Sequence, residues 1–140
     1  MNYCELKGQN ESSFTAFDTL VAISDYEENF NVLDGENAGR SESGRMIRDV
    51  LGTFIGHKIR FYRGDTAEGF DSLWTWLKAH SVDDYITIRA ADNQTVIEYQ
   101  AYYTSGTRKL RAADINNLTT PNEWDAIEIN FIPMEAQITP

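Results

Sequence analysis

The residues best suited to acid–base chemistry in this chain are adjacent pairs of carboxylates. The sequence holds 22 Asp and Glu residues, and Glu27-Glu28 and Asp83-Asp84 are neighbours. General acid–base catalysis needs carboxyl groups that converge on one substrate. Successive residues of a strand point to opposite faces, so neither pair converges. We therefore expect both pairs to be solvated surface charge, and we predict no catalytic residue.

Candidate metal ligands are sparse in the sequence. His57, His80 and the single cysteine Cys4 are too few and too scattered for a zinc site. Residues 34–37 faintly resemble a calcium loop, but they lack its alternating ligands and its later bidentate Glu. Asp bonds its own backbone and Gly accepts a positive φ, so this segment predicts a turn. We expect no metal and no other cofactor.

One basic cluster stands out, and it consists of Arg108, Lys109 and Arg111 in a chain of net charge −10. The acidic balance argues against sequence-specific nucleic-acid binding, which needs a basic face, and against anionic membranes. The cluster suits an acidic patch on a second copy, and such head-to-tail contacts close into rings. Ordinary solvated charge is the alternative interpretation.

Aromatic residues are candidates for contact surfaces. Trp74 and Trp76 lie two apart on a predicted helix and therefore point in different directions. Trp74 belongs to an apolar stripe, whereas an exposed Trp76 would indicate a subunit contact. Tyr99, Tyr102 and Tyr103 fall on a predicted strand. They either line a sugar-binding surface or are strand residues with wet hydroxyl groups.

The hydrophobic pattern predicts a mostly β, α+β domain, built as an antiparallel β-sandwich or barrel with one flanking helix. The helix covers about residues 66–79, where Phe70, Leu73, Trp74 and Leu77 form one apolar stripe. Period-two alternation and turn residues mark the strands. The predicted strands are 19–24, 30–33, 46–51, 55–62, 85–90, 96–103, 107–111 and 123–132.

A length of 140 residues fits one domain. We divide the chain into a polar N-terminal segment, 1–13, and a single β-rich domain, 14–140. We expect no targeting segment, because no basic start precedes an apolar run. No apolar stretch approaches the roughly 20 residues that cross a bilayer, so we expect no membrane partner. A single cysteine excludes an internal disulfide, which fits a reducing compartment.

Several segments together carry a resemblance to a known protein class. The run 32–52 places a turn rich in Gly, Asp and Asn before an alternating segment that contains Gly44-Arg45-Met46. The other segments are 72–77, 81–85, 102–106 and 124–133. Over about residues 30–138 the chain resembles tail-associated structural proteins encoded by prophages and tailed phages of Gram-positive bacteria, the Firmicutes.

The resemblance implies a non-catalytic component of a bacteriophage virion, at the tail or its baseplate. Such a protein is found in the virion tail, and in the host cytoplasm during assembly. Its implied partners are copies of itself, arranged as a ring, and neighbouring tail proteins. A host cell-surface carbohydrate-binding module of the virion is the alternative function. The predicted interface residues are Asp34, Gly35, Arg40, Trp76, Arg108, Lys109 and Arg111.

Overall fold

A computed structural model of the chain describes residues 3–63, 67–111 and 123–140. The strands are β1 Cys4–Gly8, β2 Thr15–Ala16, β3 Ala22–Asp34, β4 Gly39–Arg40, β5 Met46–Ile47, β6 Val50–Tyr62, β7 Ile86–Asp92, β8 Thr95–Tyr102 and β9 Ile127–Pro133. The helices are α1 Phe17–Leu20 and α2 Ala67–His80. Seven strands form one antiparallel sheet in the order β2-β1-β7-β8-β9-β6-β3, and β4 pairs with β5. The predicted fold class is confirmed: the domain is α+β and mostly antiparallel β.

The sheet curls until β3 approaches β1 and β7, which makes the domain sandwich- or barrel-like. Tyr26 of β3 spans the gap, because its hydroxyl donates to the carbonyl of Tyr3 at 2.6 Å and accepts the Ala91 amide at 2.8 Å. Inside lies one continuous apolar core. Its largest fully buried members are Phe17, Phe61, Phe70, Phe131, Leu6, Ile59, Leu73, Ile86, Ile88, Ile127 and Ile129.

Helix α2 covers the core with the predicted apolar stripe. Phe70, Leu73 and Leu77 are buried, and Trp74 is partly buried against them. The hydroxyl of Tyr103 donates to the carbonyl of Leu77 at 2.6 Å, which ties the helix to the sheet. The helix is described from residue 67, and the predicted first residue, 66, lies outside the described residues.

Strand β6 is one long strand with an irregular register. The sequence predicts two strands here, 46–51 and 55–62, and the glycines between them, Gly52 and Gly56, allow either a hairpin or one long bulged strand. The structure has the long strand, and Met46–Ile47 form the separate β5. Its pairing with β3 runs from Tyr62 to Val50 and shifts register between Leu33 and Asp34. The period-two alternation of the predicted strand 55–62 places Ile55, His57, Ile59 and Phe61 on one face. Burial increases along this face from half-buried Ile55 to three fully buried residues, which confirms the alternation.

Other segments differ from the prediction. The polar segment 1–13 contains β1, whose Cys4 and Leu6 are fully buried and which pairs with β7. The predicted strand 19–24 is replaced by α1 and the start of β3. Within the part of the chain that the structure describes, the predicted strand 107–111 is reduced to a single bridge, between Leu110 and Trp124, and the last strand begins at 127.

The outer halves of β3 and β6 form a two-stranded extension, which we call the arm. It comprises residues 29–33 and 50–56, with 34–49 as its tip. Strand β9 pairs with β6 only between His57 and Phe61, so the arm extends past the rest of the sheet. Strands β4 and β5 lie within the tip.

Candidate interaction surface

The arm is a part of the described chain where several apolar side chains face solvent close together. Phe30 is 70% exposed, and Val32, Leu33 and Leu51 are between 41% and 55% exposed. Phe30 lies opposite Ile55 and Val32 lies opposite Thr53, so Phe30 and Val32 continue the face that is buried in the body, whereas Leu33 lies on the other face. An apolar face that continues outside its own core is a candidate contact surface.

Charge is excluded from the two strands of the arm. Residues 29–33 and 50–56 contain no Asp, Glu, Lys or Arg, although 24% of the chain is charged. The charged residues Glu28 and Lys58 begin the body on one side, and Asp34 begins the tip on the other. The cores of protein–protein interfaces are likewise depleted of charge and surrounded by a polar rim.

The two edges of the arm differ. The C-terminal segment covers β6: Gln137 bonds both the amide and the carbonyl of Ile55 at 2.8 Å. The amide of Thr53 donates to the carbonyl of Ile138, also at 2.8 Å. On the other edge, residues 29–33 of β3 make no described backbone hydrogen bond except those to β6. The edge of β3 is therefore open to another strand.

Three predicted interface residues, Asp34, Gly35 and Arg40, lie at the end of the arm. The Asp34 carboxylate bonds Arg48 Nε at 2.9 Å and the Asp49 amide at 3.2 Å. Its hydrogen bond with Arg48 lowers the pKa of Asp34. The Gly35 amide bonds the Asp49 carbonyl at 2.6 Å, and Arg40 bonds the Gly44 carbonyl at 3.0 Å. These contacts shape the tip, as the turn chemistry predicts.

The other basic predicted residues line a groove of about 700 Å³ at the opposite end of β6. Arg108, Lys109 and Arg111 share it with Arg60 and Arg63. The segment is held by carboxylates, since Arg111 pairs with Glu123 and Asp125. The Lys109 side chain is exposed and makes no ion pair within the described residues.

Arg108 is built into the fold instead of projecting from it. Its guanidinium lies 4.4 Å from the ring centre of Trp124 and 5.0 Å from that of Trp74. It also bonds the Asp71 carboxylate at 2.8 Å, and its side chain is 12% exposed. The arrangement pins α2 to the segment that follows β8, so removing Arg108 would disturb packing as well as charge.

The aromatic candidates are engaged inside the molecule. Trp76 packs edge-on against Phe17, and its indole nitrogen donates to Glu11 at 3.1 Å. Tyr99 is buried, and Tyr103 bonds the helix. Of the three tyrosines, Tyr102 is the exposed one. These residues therefore do not present a continuous aromatic platform for a sugar.

A buried polar cluster lies at the base of the arm. His57 is fully buried; its Nε2 lies 2.9 Å from the carbonyl of Ala91, and its Nδ1 lies 2.6 Å from the hydroxyl of Tyr99. A carbonyl only accepts, so Nε2 carries the proton and Nδ1 accepts from Tyr99. Burial lowers the pKa of His57. Both ring nitrogens are engaged, which makes this histidine a structural residue.

A carboxyl pair borders the same cluster. Glu28 lies opposite His57, with 3.3 Å between Oε2 and Nε2. Burial and the neighbouring charge of Asp92 raise the pKa of Glu28. Glu27 lies opposite Lys58 on the other face, as strand alternation predicts. Glu28 and Asp92 also line a groove of about 510 Å³ with Phe30, so the groove joins the apolar face of the arm to a carboxyl pair.

Within residues 3–63, 67–111 and 123–140, no group of three or more His, Cys, Asp or Glu side chains is arranged to hold a metal ion. None of the helices in these ranges is both long enough and apolar enough to span a bilayer. No protein-family model matches the sequence, and no curated protein matches it significantly.

The exposed apolar residues of the arm were not among the predicted interface residues. Their signal is present in the sequence, since 29–33 and 50–56 are both uncharged and rich in apolar residues. Each run alone looks like an ordinary half-buried strand. Only their mutual pairing, beyond the strands that pair in the body, shows that the apolar face has no strand packed on it among residues 3–63, 67–111 and 123–140.

Proposed function

We propose that this chain is a non-catalytic structural subunit of a bacteriophage or prophage tail or baseplate. It acts by self-association and by contact with neighbouring tail proteins. The proposal combines two independent supports. The arm supports assembly through a surface, and the sequence resemblance supports a virion tail as the place of that assembly.

The observation that carries the proposal is the uncharged, apolar arm. A two-stranded ribbon is at best marginally stable in water when nothing packs on it. Phe30 and Leu33 are 70% and 47% exposed on this ribbon. Covering them with another protein chain would remove apolar surface from water and add a layer to the ribbon. An arm of this composition therefore supports a subunit whose function is contact.

The charge distribution supports self-association in particular. The arm and tip, residues 29–56, carry three arginines against four carboxylates and so hold only −1 of the net charge of −10. Two copies that met through their acidic bodies would repel one another. Contact through the arm brings together the part of each copy that is nearly neutral.

Self-association can be tested with a matched pair of variants. Phe30→Lys combined with Leu33→Lys places charge on the arm, where both side chains are already exposed. Val82→Lys places charge on a loop residue that is 86% exposed. We expect the wild type and Val82→Lys to gain mass with concentration in sedimentation velocity. The double variant should stay a folded monomer, with an unchanged circular dichroism spectrum.

Either of two results would remove the basis for assembly through the arm. One is a wild-type chain that stays monomeric up to millimolar concentration. The other is a double variant that associates as strongly as Val82→Lys. The place of assembly needs a separate experiment, in which particles induced from a lysogen that carries the gene are labelled with an antibody to this chain. Gold label on tails supports the proposal, and purified particles without the chain contradict it.

A further inference from the structure

The open edge of β3 allows a more specific statement about how two copies meet, which rests on the proposed self-association. Strand pairing in the described sheet leaves one long edge unpaired, residues 29–33 of β3. The opposite sheet edge is formed by β2, which has only two residues. Gln137 and Ile138 cover β6 within the arm. A strand added by a second copy would therefore meet β3.

We propose that β3 of one copy pairs antiparallel with β3 of a second copy across a two-fold axis near Asn31. A contact between two copies of the same edge is self-complementary, so one strand supplies both sides. Centring the pair on Asn31 places the uncharged residues 29–33 opposite one another. Each outward-facing backbone group of one edge then meets a backbone group of the other.

Charge favours the antiparallel direction. The inner half of β3 carries Asp25, Glu27 and Glu28 and no cation, whereas the tip, with three arginines and four carboxylates, is nearly neutral. An antiparallel pair places the acidic half of each strand beside the nearly neutral tip of the other. Glu28 then lies opposite Asp34, whose carboxylate is already paired with Arg48 at 2.9 Å. A parallel, in-register pair would place each acidic residue beside its own copy, which is destabilising.

The apolar side chains agree with the same pairing. With the axis at Asn31, Phe30 of one strand lies opposite Val32 of the other. Both belong to the apolar face that also includes Ile55. Two two-stranded arms would then form a four-stranded sheet with a continuous apolar face, which is more stable than either ribbon alone. Asn29 and Asn31 lie on the other face, where they remain in contact with water.

A charge-swap experiment tests the two-fold axis directly. Asn31→Asp places a carboxylate opposite its own copy, and Asn31→Lys places an ammonium there. Like charges directly opposite one another cost up to about 1 kcal/mol, so each variant alone should dimerise about fivefold more weakly than wild type. An equimolar mixture pairs opposite charges, and its dissociation constant should return to within about threefold of wild type.

The control is the same exchange at an exposed residue of β9, Asn130→Asp and Asn130→Lys, which should change association little alone or mixed. Asn31→Cys gives a second measurement, because a residue on the axis forms a disulfide with its own copy under mild oxidation. The native Cys4 is buried and does not interfere. We expect a covalent dimer from Asn31→Cys and none above background from Asn130→Cys.

Failure of this inference differs from failure of the proposed function. If the wild type associates but mixing the charge variants restores nothing and Asn31→Cys gives no excess dimer, the copies meet elsewhere and the two-fold pairing is wrong. Self-association then still holds. If the wild type is monomeric at every concentration, both the pairing and the proposed assembly are overturned.

Discussion

The Nδ1 atom of His57 and the hydroxyl oxygen of Tyr99 lie 2.6 Å apart inside the curled sheet, where His57 is fully buried and Tyr99 is 8% exposed. The rings stack, with their centres 5.6 Å apart. This contact joins β6 to β8 where the arm leaves the body. The root of the arm is therefore fixed by a satisfied polar pair and not by apolar packing alone.

Removing the Tyr99 hydroxyl should destabilise the fold measurably. Tyr99→Phe keeps the ring but leaves the buried Nδ1 of His57 without a donor, which costs about 1–3 kcal/mol. Tyr102→Phe is the matched control, because Tyr102 lies on the same strand and is 38% exposed. Urea denaturation should show a lower free energy of unfolding for Tyr99→Phe alone. Equal stability of the two variants would mean that this hydrogen bond contributes nothing.

Protonation of His57 should occur at lower pH than in an unfolded chain. Burial lowers its pKa below 6.5, with the Ala91 hydrogen bond and the charge of Asp92 acting the other way. As the pH falls below 6.5, the unfolded chain binds a proton that the folded chain does not, so this histidine's contribution to stability is lost. Nitrogen-detected NMR should show a neutral Nε2–H ring at pH 6.5 and a midpoint below that value.

The titration of Glu28 changes stability with pH in the opposite direction to the titration of His57, so the two effects must be measured separately. Its pKa is raised by burial and by Asp92, so the folded chain holds this proton to higher pH than the unfolded chain does. Its contribution therefore falls as the pH rises from 4.5 through the folded pKa. Glu28→Gln removes this contribution, and the fall in stability below pH 6.5 should then be steeper. An unchanged profile would show that Glu28 titrates normally.

Hydrophobic periodicity predicted the elements whose buried face is marked by the pattern of apolar residues within the element itself. The stripe of Phe70, Leu73 and Leu77 requires α2, and the alternation from Ile55 to Phe61 requires the inner half of β6. Strand β1 was missed because only Cys4 and Leu6 are apolar between its polar residues. Two such residues specify a strand only when β7 is beside them, which is information that no local window contains.

The sequence predicted the tip of the candidate surface but not the exposed apolar residues on the two strands of the arm. Turn chemistry identified Asp34 and Gly35, because glycine and a backbone-bonding carboxylate are local signals. Phe30 and Leu33 look like core residues in sequence, since the same alternation is found in buried strands. Their exposure follows from where β9 stops pairing with β6, at His57. That boundary depends on a strand about 70 residues away in the chain.

Alanine substitutions at Arg108 and at Lys109 should change the free energy of unfolding by different amounts, although the two residues are adjacent and carry the same charge. Arg108→Ala removes the contacts with Trp124, Trp74 and Asp71, and should lower the free energy of unfolding by about 1–2 kcal/mol. Lys109→Ala removes an exposed side chain and should change it by less than about 0.5 kcal/mol. Arg108→Lys should restore only part of the loss, because an ammonium lacks the planar face that stacks on indole. Urea denaturation of the three variants measures these differences, and equal effects of the two alanine substitutions would contradict the built-in role of Arg108.

Gly52 should be the least replaceable glycine of the arm. Its φ is +151°, and a Cβ there would lie 2.5 Å from the Cβ of Ala136 and 2.8 Å from the carbonyl oxygen of Ile138. Gly52→Ala must therefore displace the C-terminal segment that covers the edge of β6, at a cost of more than about 1 kcal/mol. Gly39→Ala is the matched control, because a Cβ at Gly39 meets nothing within 4 Å.

The effect of Gly52→Ala on assembly separates the two edges of the arm. Displacing Ile138 opens the edge of β6 at Thr53 and leaves the edge of β3 unchanged. Hydrogen exchange should then show faster exchange of the Thr53 and Ile55 amides, which the C-terminal segment protects. A second open edge should drive the variant beyond dimers into larger species, visible by light scattering. A variant that keeps slow exchange at Thr53 and the wild-type mass would show that the C-terminal segment does not guard this edge.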